Sequence, residues 1–253
     1  MQRANDVGIE PRRAVFLDRD GVICRNRVDH VKSWDEFVFL SQAREALACL
    51  TRLDLAIVVV TNQAAINREL VTEDTVEDIH DRMCREISLA GGRIDGVYYC
   101  PHRPDEQCAC RKPQPGMLLR AASDLSIELP GSYMVGDAWS DIGAGLAVGC
   151  VPYLVMTGRA GRQAPVALRE ASRQVRVVAD LSEAVTAILR SEGFSPYEFS
   201  WNQTMETQDN VPPEARFDSR GSDRYGSEDV SSLDNAQSPT SSMPEQPIMR
   251  IRQ

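Results

Sequence analysis

The stretch that decides the fold is Ala-Val-Phe-Leu-Asp-Arg-Asp-Gly at residues 14–21. Its four apolar residues predict a short buried strand, which ends abruptly in charged residues. Because Gly21 lets the chain turn, we expect the carboxylates of Asp18 and Asp20 to approach one point. Carboxylates gathered at the end of a buried strand are unfavourable unless a cation binds them. The stretch therefore favours a metal-dependent reaction, with a plain polar turn as the alternative.

The charge and composition of the chain argue against several classes of protein. The 253 residues carry a formal net charge of −9, and the pI is near 5.0, which argues against a general nucleic-acid binder. The sequence contains no run of about 18 apolar residues, so it predicts no membrane span. Residues 1–13 are polar and lack the apolar core of a signal peptide, so we expect a cytoplasmic protein without a membrane partner. Seven cysteines, an odd number, do not indicate a disulfide framework.

The domain organisation is predicted from a change of composition near Ser191. From there to Gln253 the chain is rich in Ser, Pro and acidic residues, with 11 acidic and 5 basic side chains and no periodic apolar pattern. Such a segment buries too little apolar surface to fold. We therefore predict a flexible N-terminus at 1–10, one domain at 11–190 and a disordered acidic Ser/Pro-rich tail at 191–253.

Apolar periodicity predicts that strands and helices alternate along the domain. After the first strand, continuous apolar runs predict strands at 55–60, 96–99, 133–135 and 151–156. Helical spacing of apolar residues predicts helices at 41–53, 72–90, 116–125, 141–148 and 181–189. This alternation predicts a Rossmann-like, three-layer α/β/α fold with a parallel sheet.

Polar side chains follow several of these strands, where ligands bind in parallel α/β sheets. They are Asp18, Asp20, Thr61, Asn62, Gln63 and Asp137, and the dipeptide Arg111-Lys112 lies between the last two groups. A divalent ion held by Asp18 and Asp137 would offset their mutual repulsion, and oxygen ligands favour magnesium. Magnesium together with Arg111 and Lys112 would suit a phosphate.

A second group of ligand-type residues has the spacing C-x-H-x5-C-x-C. It consists of Cys100, His102, Cys108 and Cys110. Three thiols and an imidazole can fill a tetrahedral zinc site, which would then be structural because no open position remains. The spacing is not a common zinc-finger one, so a cysteine-rich loop with incidental thiols is the alternative. Because Arg111 and Lys112 follow directly, the zinc would also hold these cations in place.

The motifs resemble those of the haloacid dehalogenase superfamily of phosphatases over residues 10–190. Asp18-Arg19-Asp20-Gly21 is similar to the first motif, Thr61 to the second, Lys112 to the third, and Gly136-Asp137-x-x-x-Asp141 to the fourth. More narrowly, the chain resembles the branch that holds D-glycero-D-manno-heptose 1,7-bisphosphate 7-phosphatase and histidinol-phosphatase. The marks of that branch are Thr61-Asn62-Gln63, the cysteine cluster and Cys110-Arg111-Lys112-Pro113.

The resemblance implies a role for each matching residue. Asp18 would be the nucleophile and Asp20 the general acid and base, while Thr61 and Lys112 would hold the phosphoryl oxygens. Asp18, the Asp20 carbonyl and Asp137 would bind Mg²⁺, and the Cys/His cluster would bind Zn²⁺. The residues implied in substrate binding are Asn62, Gln63, Arg111, Lys112, Arg27 and His30. The short loops imply a capless member of the superfamily.

The implied function is a magnesium-dependent phosphomonoester hydrolase acting through an aspartyl-phosphate. Its expected substrate is a heptose 1,7-bisphosphate, which would lose its 7-phosphate in the synthesis of nucleotide-activated heptose. The segment Gln114-Pro115-Gly116-Met117 is similar to the heptose members rather than to histidinol-phosphatase, which remains an alternative. The motifs are also compatible with a broad sugar-phosphate phosphatase and with a nucleic-acid 3′-phosphatase, which the acidic charge disfavours. From a different class of protein, a scaffold that recruits partners through its tail stays open as well.

The sequence also departs from the family pattern at a few positions. Cys24 stands in place of the usual Asn, Ala64-Ala65 in place of Ser-Gly, His30 in place of an aromatic residue, and Ala138 in place of a polar residue. These departures leave the phosphatase prediction intact but weaken the choice of sugar. We further expect a monomer, and we expect His80, within the predicted helix 72–90, to lie on the surface.

Overall fold

A computed structural model of the chain describes residues 11–159 and 174–194. Six parallel strands form one sheet in the order β3-β2-β1-β4-β5-β6. The strands are β1 (Ala14–Leu17), β2 (Ala56–Asn62), β3 (Gly96–Cys100), β4 (Tyr133–Gly136), β5 (Val151–Val155) and β6 (Arg176–Val178). The first strand is fully buried and pairs with β2 on one side and β4 on the other, which places it at the centre of the sheet.

Helices cover both faces of the sheet, as the α/β/α prediction requires. They are α1 (Ala43–Leu50), α2 (Glu73–Leu89), α3 (Gly116–Leu125), α4 (Trp139–Leu146) and α5 (Leu181–Ser191). Because side chains alternate along a strand, Val15 and Leu17 pack with α1, α2 and α5. Phe16 faces the opposite way, towards α3 and Ala144 of α4. The predicted three-layer parallel architecture is confirmed.

The strand order places the functional residues at one point of the sheet. From β1 the chain builds outward through β2 and β3, and it then returns to the other side of β1 with β4 and continues through β5 and β6. The order therefore reverses between β1 and β4, and parallel α/β sheets bind ligands at such a point, at the carboxyl ends of the strands. Asp18 directly follows β1, and Asp137 directly follows β4.

Several element boundaries differ from the sequence prediction. The helix predicted at 41–53 spans only Ala43–Leu50, because Gln42 is left-handed (φ 60°) and Leu53 bonds back to Leu50 in a tighter turn. Helix α4 begins at Trp139 rather than Asp141, because the Asp141 carboxylate caps the helix by accepting from the Ala138 N–H (3.0 Å).

Strand β6 was not predicted. It has only three residues, and two of them are exposed, so it lacks the apolar run that reveals the inner strands. The predictions of strands 55–60, 96–99, 133–135 and 151–156 are confirmed to within two residues at each end.

The predicted boundary at residue 190 lies slightly inside the folded body. The Glu192 carboxylate accepts hydrogen bonds from Arg13 and from the Tyr133 hydroxyl, at 2.5 Å each. The Phe194 N–H donates to the Leu189 carbonyl at 3.0 Å. The predictions of a flexible N-terminus at 1–10 and of a disordered tail from residue 195 onward fall outside the described residues.

The connections between elements within 11–159 and 174–194 contain no further domain. The link from β1 to α1 has one short 3-10 helix, Trp34–Glu36, and the link from β3 to α3 has another, Pro104–Glu106. These loops agree with the predicted capless architecture. No helix in the same ranges is long and apolar enough to cross a membrane.

Candidate active site

Lys112 is the central cation of the site at the carboxyl ends of β1, β2 and β4. Its side chain is almost completely buried, and its ammonium group lies 2.9 Å from Asp18 Oδ1 and 2.6 Å from Asp141 Oδ1. It also donates to the Val60 carbonyl at 2.7 Å. Burial lowers the pKa of Lys112, but the charges of Asp141 and Asp18 outweigh this effect and raise it. The ammonium group therefore stays charged at neutral pH.

The carboxylates of Asp18, Asp137 and Asp141 form a compact buried cluster. One ligand oxygen from each lies within 4.8 Å of the others. Burial raises the pKa of Asp18 to about 6, although Lys112 opposes the shift. Burial and the neighbouring charges of Asp18 and Asp141 raise the pKa of Asp137 to about 7. One lysine does not neutralise three buried acids, so the set fits a hard divalent cation such as Mg²⁺.

Two glycines permit this close approach. Gly21 has φ +92°, and a Cβ atom there would overlap the Asp137 carboxylate. A Cβ atom at Gly136 would overlap the side chain of Asp141. A larger residue at either position would push a carboxylate out of the cluster.

The Asp20 carboxylate points to a different set of partners. It accepts from Arg19 Nε (3.1 Å) and Nη2 (2.9 Å), and from Gln63 Nε2 (2.9 Å). The Cys24 thiol lies 3.6 Å from its second oxygen. The side chain of Asp20 thus does not join the acidic cluster, although its negative charge contributes to the raised pKa of Asp18.

The polar residues at the end of β2 connect to their neighbours on both sides. The buried Thr61 hydroxyl accepts from Gln63 Nε2 at 2.9 Å, so Gln63 bridges Thr61 and Asp20. The Asn62 side chain makes two 3.1 Å hydrogen bonds, donating to the Lys112 carbonyl and accepting from the Lys112 N–H. Asn62 therefore fixes the backbone that carries Lys112.

The Cys/His cluster has the dimensions of a zinc site. The sulfur atoms of Cys100, Cys108 and Cys110 lie 3.3–3.6 Å apart, and His102 Nδ1 lies 3.5 Å from Cys100 and 3.3 Å from Cys110. A tetrahedral zinc ion with Zn–S bonds of about 2.3 Å would hold its sulfur ligands roughly 3.8 Å apart. All seven cysteines are free, so these thiols are available as ligands.

Arg111 is bonded to the Cys/His loop and lines a cavity next to it. Its Nη1 donates to the His102 carbonyl at 3.0 Å. Arg111 and Lys112 line a cavity of about 480 Å³ together with Cys108, Pro113 and Gln114. This volume is in the range of small-molecule sites.

Two residues predicted to bind substrate, Arg27 and His30, lie in the loop after β1 and contact each other. Arg27 donates to the His30 carbonyl (3.2 Å) and to the exposed Asp29 carboxylate (3.0 Å). Burial and the positive charge of Arg68 lower the pKa of His30, while Asp20 raises it. Arg27 is therefore held within its own loop.

The structure also places residues and contacts at the candidate active site that were not predicted. The prediction of a surface position for His80 is wrong, because the side chain is only 5% exposed and lies 3.0 Å from Arg19. Arg19, which is completely buried, was passed over between the two aspartates of its motif. Asp141 was recognised as part of the fourth motif, but its ion pair with Lys112 was not predicted. The contacts of His80 with Arg19 and of Asp141 with Lys112 join residues that are far apart in the chain, so local sequence patterns could not predict them.

An aspartate-bearing central strand, a buried lysine and an acidic cluster at the switch point of a parallel sheet are typical of phosphatases of the haloacid dehalogenase type. Comparison with known proteins agrees, since the HAD-hydrolase-like family model matches residues 109–184. The chain belongs to the haloacid dehalogenase-like hydrolase family and is a phosphatase.

The names of similar proteins give a particular activity within this family. The D-glycero-β-D-manno-heptose-1,7-bisphosphate 7-phosphatase of Bordetella bronchiseptica is 39% identical over 178 residues, which are 70% of this chain and 98% of the relative. The enzyme of the same name from Escherichia coli K12 is 39% identical over 68% of this chain and 93% of the relative.

Solved structures similar to this chain include heptose bisphosphate phosphatases. A crystal structure of D,D-heptose 1,7-bisphosphate phosphatase from B. bronchiseptica, complexed with magnesium and phosphate, has a TM-score of 0.65 at 38% identity and covers 71% of this chain and 99% of that one. The corresponding structure from Burkholderia thailandensis has a TM-score of 0.54 at 31% identity and covers 70% and 99%.

Proposed function

We propose that this phosphatase removes the 7-phosphate of D-glycero-β-D-manno-heptose 1,7-bisphosphate, in the synthesis of nucleotide-activated heptose for surface polysaccharide. The observation that carries the proposal is the match to nearly the whole length of the Bordetella enzyme at 39% identity. The β configuration is taken from the names of such relatives, which share it. The cavity lined by Arg111 and Lys112 has the volume of a small-molecule site.

Two metal sites belong to this proposal. Asp18, Asp137 and the carbonyl of Asp20 would hold Mg²⁺, and the acidic cluster fits such an ion because its carboxylates repel one another when charged. When bound, Mg²⁺ would neutralise negative charge on the transferring phosphoryl group. Cys100, His102, Cys108 and Cys110 would hold a structural Zn²⁺, because four protein ligands leave no open position.

Asp18 is the proposed nucleophile. One of its oxygens would attack phosphorus in line, form an aspartyl-phosphate and release the sugar alkoxide. Lys112 Nζ, 2.9 Å from Asp18 Oδ1, favours the ionised carboxylate that this attack requires. Lys112 and the Thr61 hydroxyl would also donate to the phosphoryl oxygens, which spreads the negative charge of the transition state.

Asp20 is the proposed general acid and base. Its protonated carboxyl would donate to the leaving alkoxide oxygen, and the resulting carboxylate would take a proton from the water that hydrolyses the aspartyl-phosphate. The hydrogen bonds from Arg19 and Gln63 hold this carboxylate apart from the metal-binding acids, so the two carboxylates of one motif have separate duties.

Substrate binding is assigned to residues around the opening. Arg111 beside the cavity would pair with the distal phosphate, and Arg27, His30, Asn62 and Gln63 would surround the sugar. Asn62 and Gln63 already hold Lys112 and Asp20, so their contribution would be to shape the site as much as to contact the sugar.

The remaining assignments concern the whole protein. We propose a cytoplasmic monomer, in keeping with seven free cysteines and no disulfide, since disulfides persist mainly in oxidising compartments. We also propose that the catalytic domain spans residues 11–194, so that it includes Glu192 and its contacts with Arg13 and Tyr133.

Phosphate release from a substrate panel tests the proposal. The panel holds the β and α anomers of heptose 1,7-bisphosphate, histidinol phosphate and 4-nitrophenyl phosphate, with Mg²⁺ supplied and zinc retained. We expect kcat/KM to be at least about tenfold higher for the β anomer than for any other member. Asp18→Asn is the blank and should lower turnover by a factor of about 1,000 or more. Equal turnover of all substrates, or a preference for histidinol phosphate, would contradict the assignment.

A further inference from the structure

The contact between His80 and Arg19 lies behind the proposed general acid. His80 is in the middle of α2, and its Nε2 lies 3.0 Å from Arg19 Nη1. Arg19 directs its other nitrogens, Nε and Nη2, to the Asp20 carboxylate. The three side chains thus form a continuous chain from α2 to the site, and its first two members are almost entirely shielded from solvent.

The direction of the His80–Arg19 hydrogen bond follows from the chemistry of the two groups. A guanidinium group only donates, so His80 Nε2 must be the acceptor and its proton must be on Nδ1. Burial and the positive charge of Arg19 both lower the pKa of His80, which keeps the imidazole neutral. A neutral imidazole is the form that can accept this bond.

The surroundings of His80 hold its ring in this orientation. The Tyr99 ring lies against it, with centroids 5.6 Å apart, and the Tyr99 hydroxyl donates to Glu73 (2.7 Å) and lies 3.2 Å from Glu77. All of these partners are on α2 or β3. His80 is therefore a fixed acceptor rather than a side chain that reaches the substrate.

We propose that His80 is a positioning residue for catalysis, which orients Asp20 through Arg19; this rests on the proposed role of Asp20 as general acid. A buried guanidinium without an acceptor at Nη1 would be poorly satisfied and would turn towards another oxygen. The forked contact to Asp20 fixes that carboxylate only while Arg19 is itself held. Loss of the His80 acceptor therefore misplaces the acid without removing any group that touches the substrate.

Leaving-group dependence distinguishes this role from a merely structural one. An alkoxide leaving group needs a proton from the acid, whereas 4-nitrophenolate leaves readily without one. For His80→Leu, which removes the acceptor, we expect kcat/KM to fall about tenfold or more for the sugar bisphosphate and less than about threefold for 4-nitrophenyl phosphate, with KM little changed. His80→Gln, which can offer an oxygen to Arg19, should recover most of the loss.

Tyr99→Phe is the matched control. It removes the hydroxyl bonds of the same helix–strand contact and leaves the His80–Arg19 hydrogen bond in place, so both substrates should react as with the unmodified enzyme. If His80→Leu does not fold, His80→Asn, whose shorter side chain does not reach Arg19, takes its place. Equal losses for the two substrates, or unchanged activity in a folded variant, would overturn the proposal.

A double-mutant cycle with Asp20→Asn separates the inference from the function on which it rests. In the Asp20→Asn background, replacement of His80 should have no further effect on the sugar bisphosphate, because the group it positions is gone. Full additivity would refute the positioning role. If Asp20→Asn alone leaves the reaction with the sugar bisphosphate unchanged, the assignment of Asp20 as the acid fails instead.

Discussion

At the scale of single residues, the main feature of the site is its excess of buried negative charge. Lys112 pairs with Asp18 and Asp141, while Asp137 lies beside them without such a pair. The pKa values of Asp18 and Asp137 are raised to about 6 and about 7. Burial is the main cause of both shifts. The carboxylates repel one another when charged, so protons and Mg²⁺ should compete for the cluster.

This competition predicts a pH-dependent effect of Mg²⁺ on stability. A carboxyl whose folded pKa is raised stabilises the fold at low pH, below its unfolded pKa near 3.8, and that stabilisation is lost as the pH rises through the folded value. Without Mg²⁺, this contribution of Asp18 and Asp137 should therefore decline between about pH 4 and pH 7. Added Mg²⁺ should raise Tm more at pH 8 than at pH 5.5, by a few degrees, because it binds the deprotonated cluster.

Thermal melts of protein dialysed free of Mg²⁺ but retaining zinc measure this effect. Asp137→Asn is the control, since it removes the proposed ligand that has the higher pKa, and Mg²⁺ should then shift Tm little at either pH. A Mg²⁺-induced shift of the same size at pH 5.5 and pH 8 would show that the cluster does not bind the ion through these carboxylates.

At the scale of elements, the loop between β3 and α3 brings together two kinds of support. The Cys/His cluster fixes its base, and Arg111 is attached to this base through the His102 carbonyl. Lys112 is held from the other side by the two hydrogen bonds of Asn62 on β2. Zinc bound at the proposed site should consequently matter more for Arg111 than for Lys112.

Loss of zinc should thus impair substrate binding before chemistry. For Cys108→Ser we expect the bound zinc to fall well below one ion per chain, KM for the sugar bisphosphate to rise about tenfold, and kcat to fall less than about threefold. Metal analysis with steady-state kinetics measures both effects. Cys49→Ser, at a half-buried cysteine of α1 outside the cluster, should change neither value. Full zinc-free activity would exclude a supporting role.

At the scale of the whole molecule, the residues just after α5 attach the end of the folded body to the central part of the sheet. Glu192 joins Arg13, next to the first strand, to Tyr133 of β4. The match to the Bordetella relative covers 98% of that protein but only 70% of this chain. Residues after 194 should therefore be dispensable for catalysis, whereas Glu192 should not be dispensable for stability.

Two truncations test this division. A chain ending at Phe194 should keep kcat/KM within about twofold, while one ending at Arg190 should lose roughly 1–2 kcal/mol, or about 2–8 °C in Tm, because it lacks the Glu192 hydrogen bonds. Glu192→Gln in the full chain is the control that separates the carboxylate from the rest of the segment. A large loss of activity in the chain ending at Phe194 would assign a catalytic role to the tail.

Local patterns in the sequence determined five of the six described strands, the approximate positions of the five described α-helices and the types of ligand in both proposed metal sites. The motif at residues 14–21 and the C-x-H-x5-C-x-C spacing need only short-range order, because each lies on one strand end or one loop. The parallel alternation then places the strand ends together, so the gathering of Asp18, Thr61 and Asp137 was predictable.

Only the tertiary structure decided how these residues are paired. The contacts of Asn62 with Lys112 and of Arg19 with His80 join positions 50 and 61 residues apart, and no local pattern encodes such distances. His80 has the neighbours of a surface residue in sequence, yet α2 packs it against a buried guanidinium. The physical reason is that a buried charge is tolerated only with a partner, and the fold selects which distant side chain is close enough to be that partner.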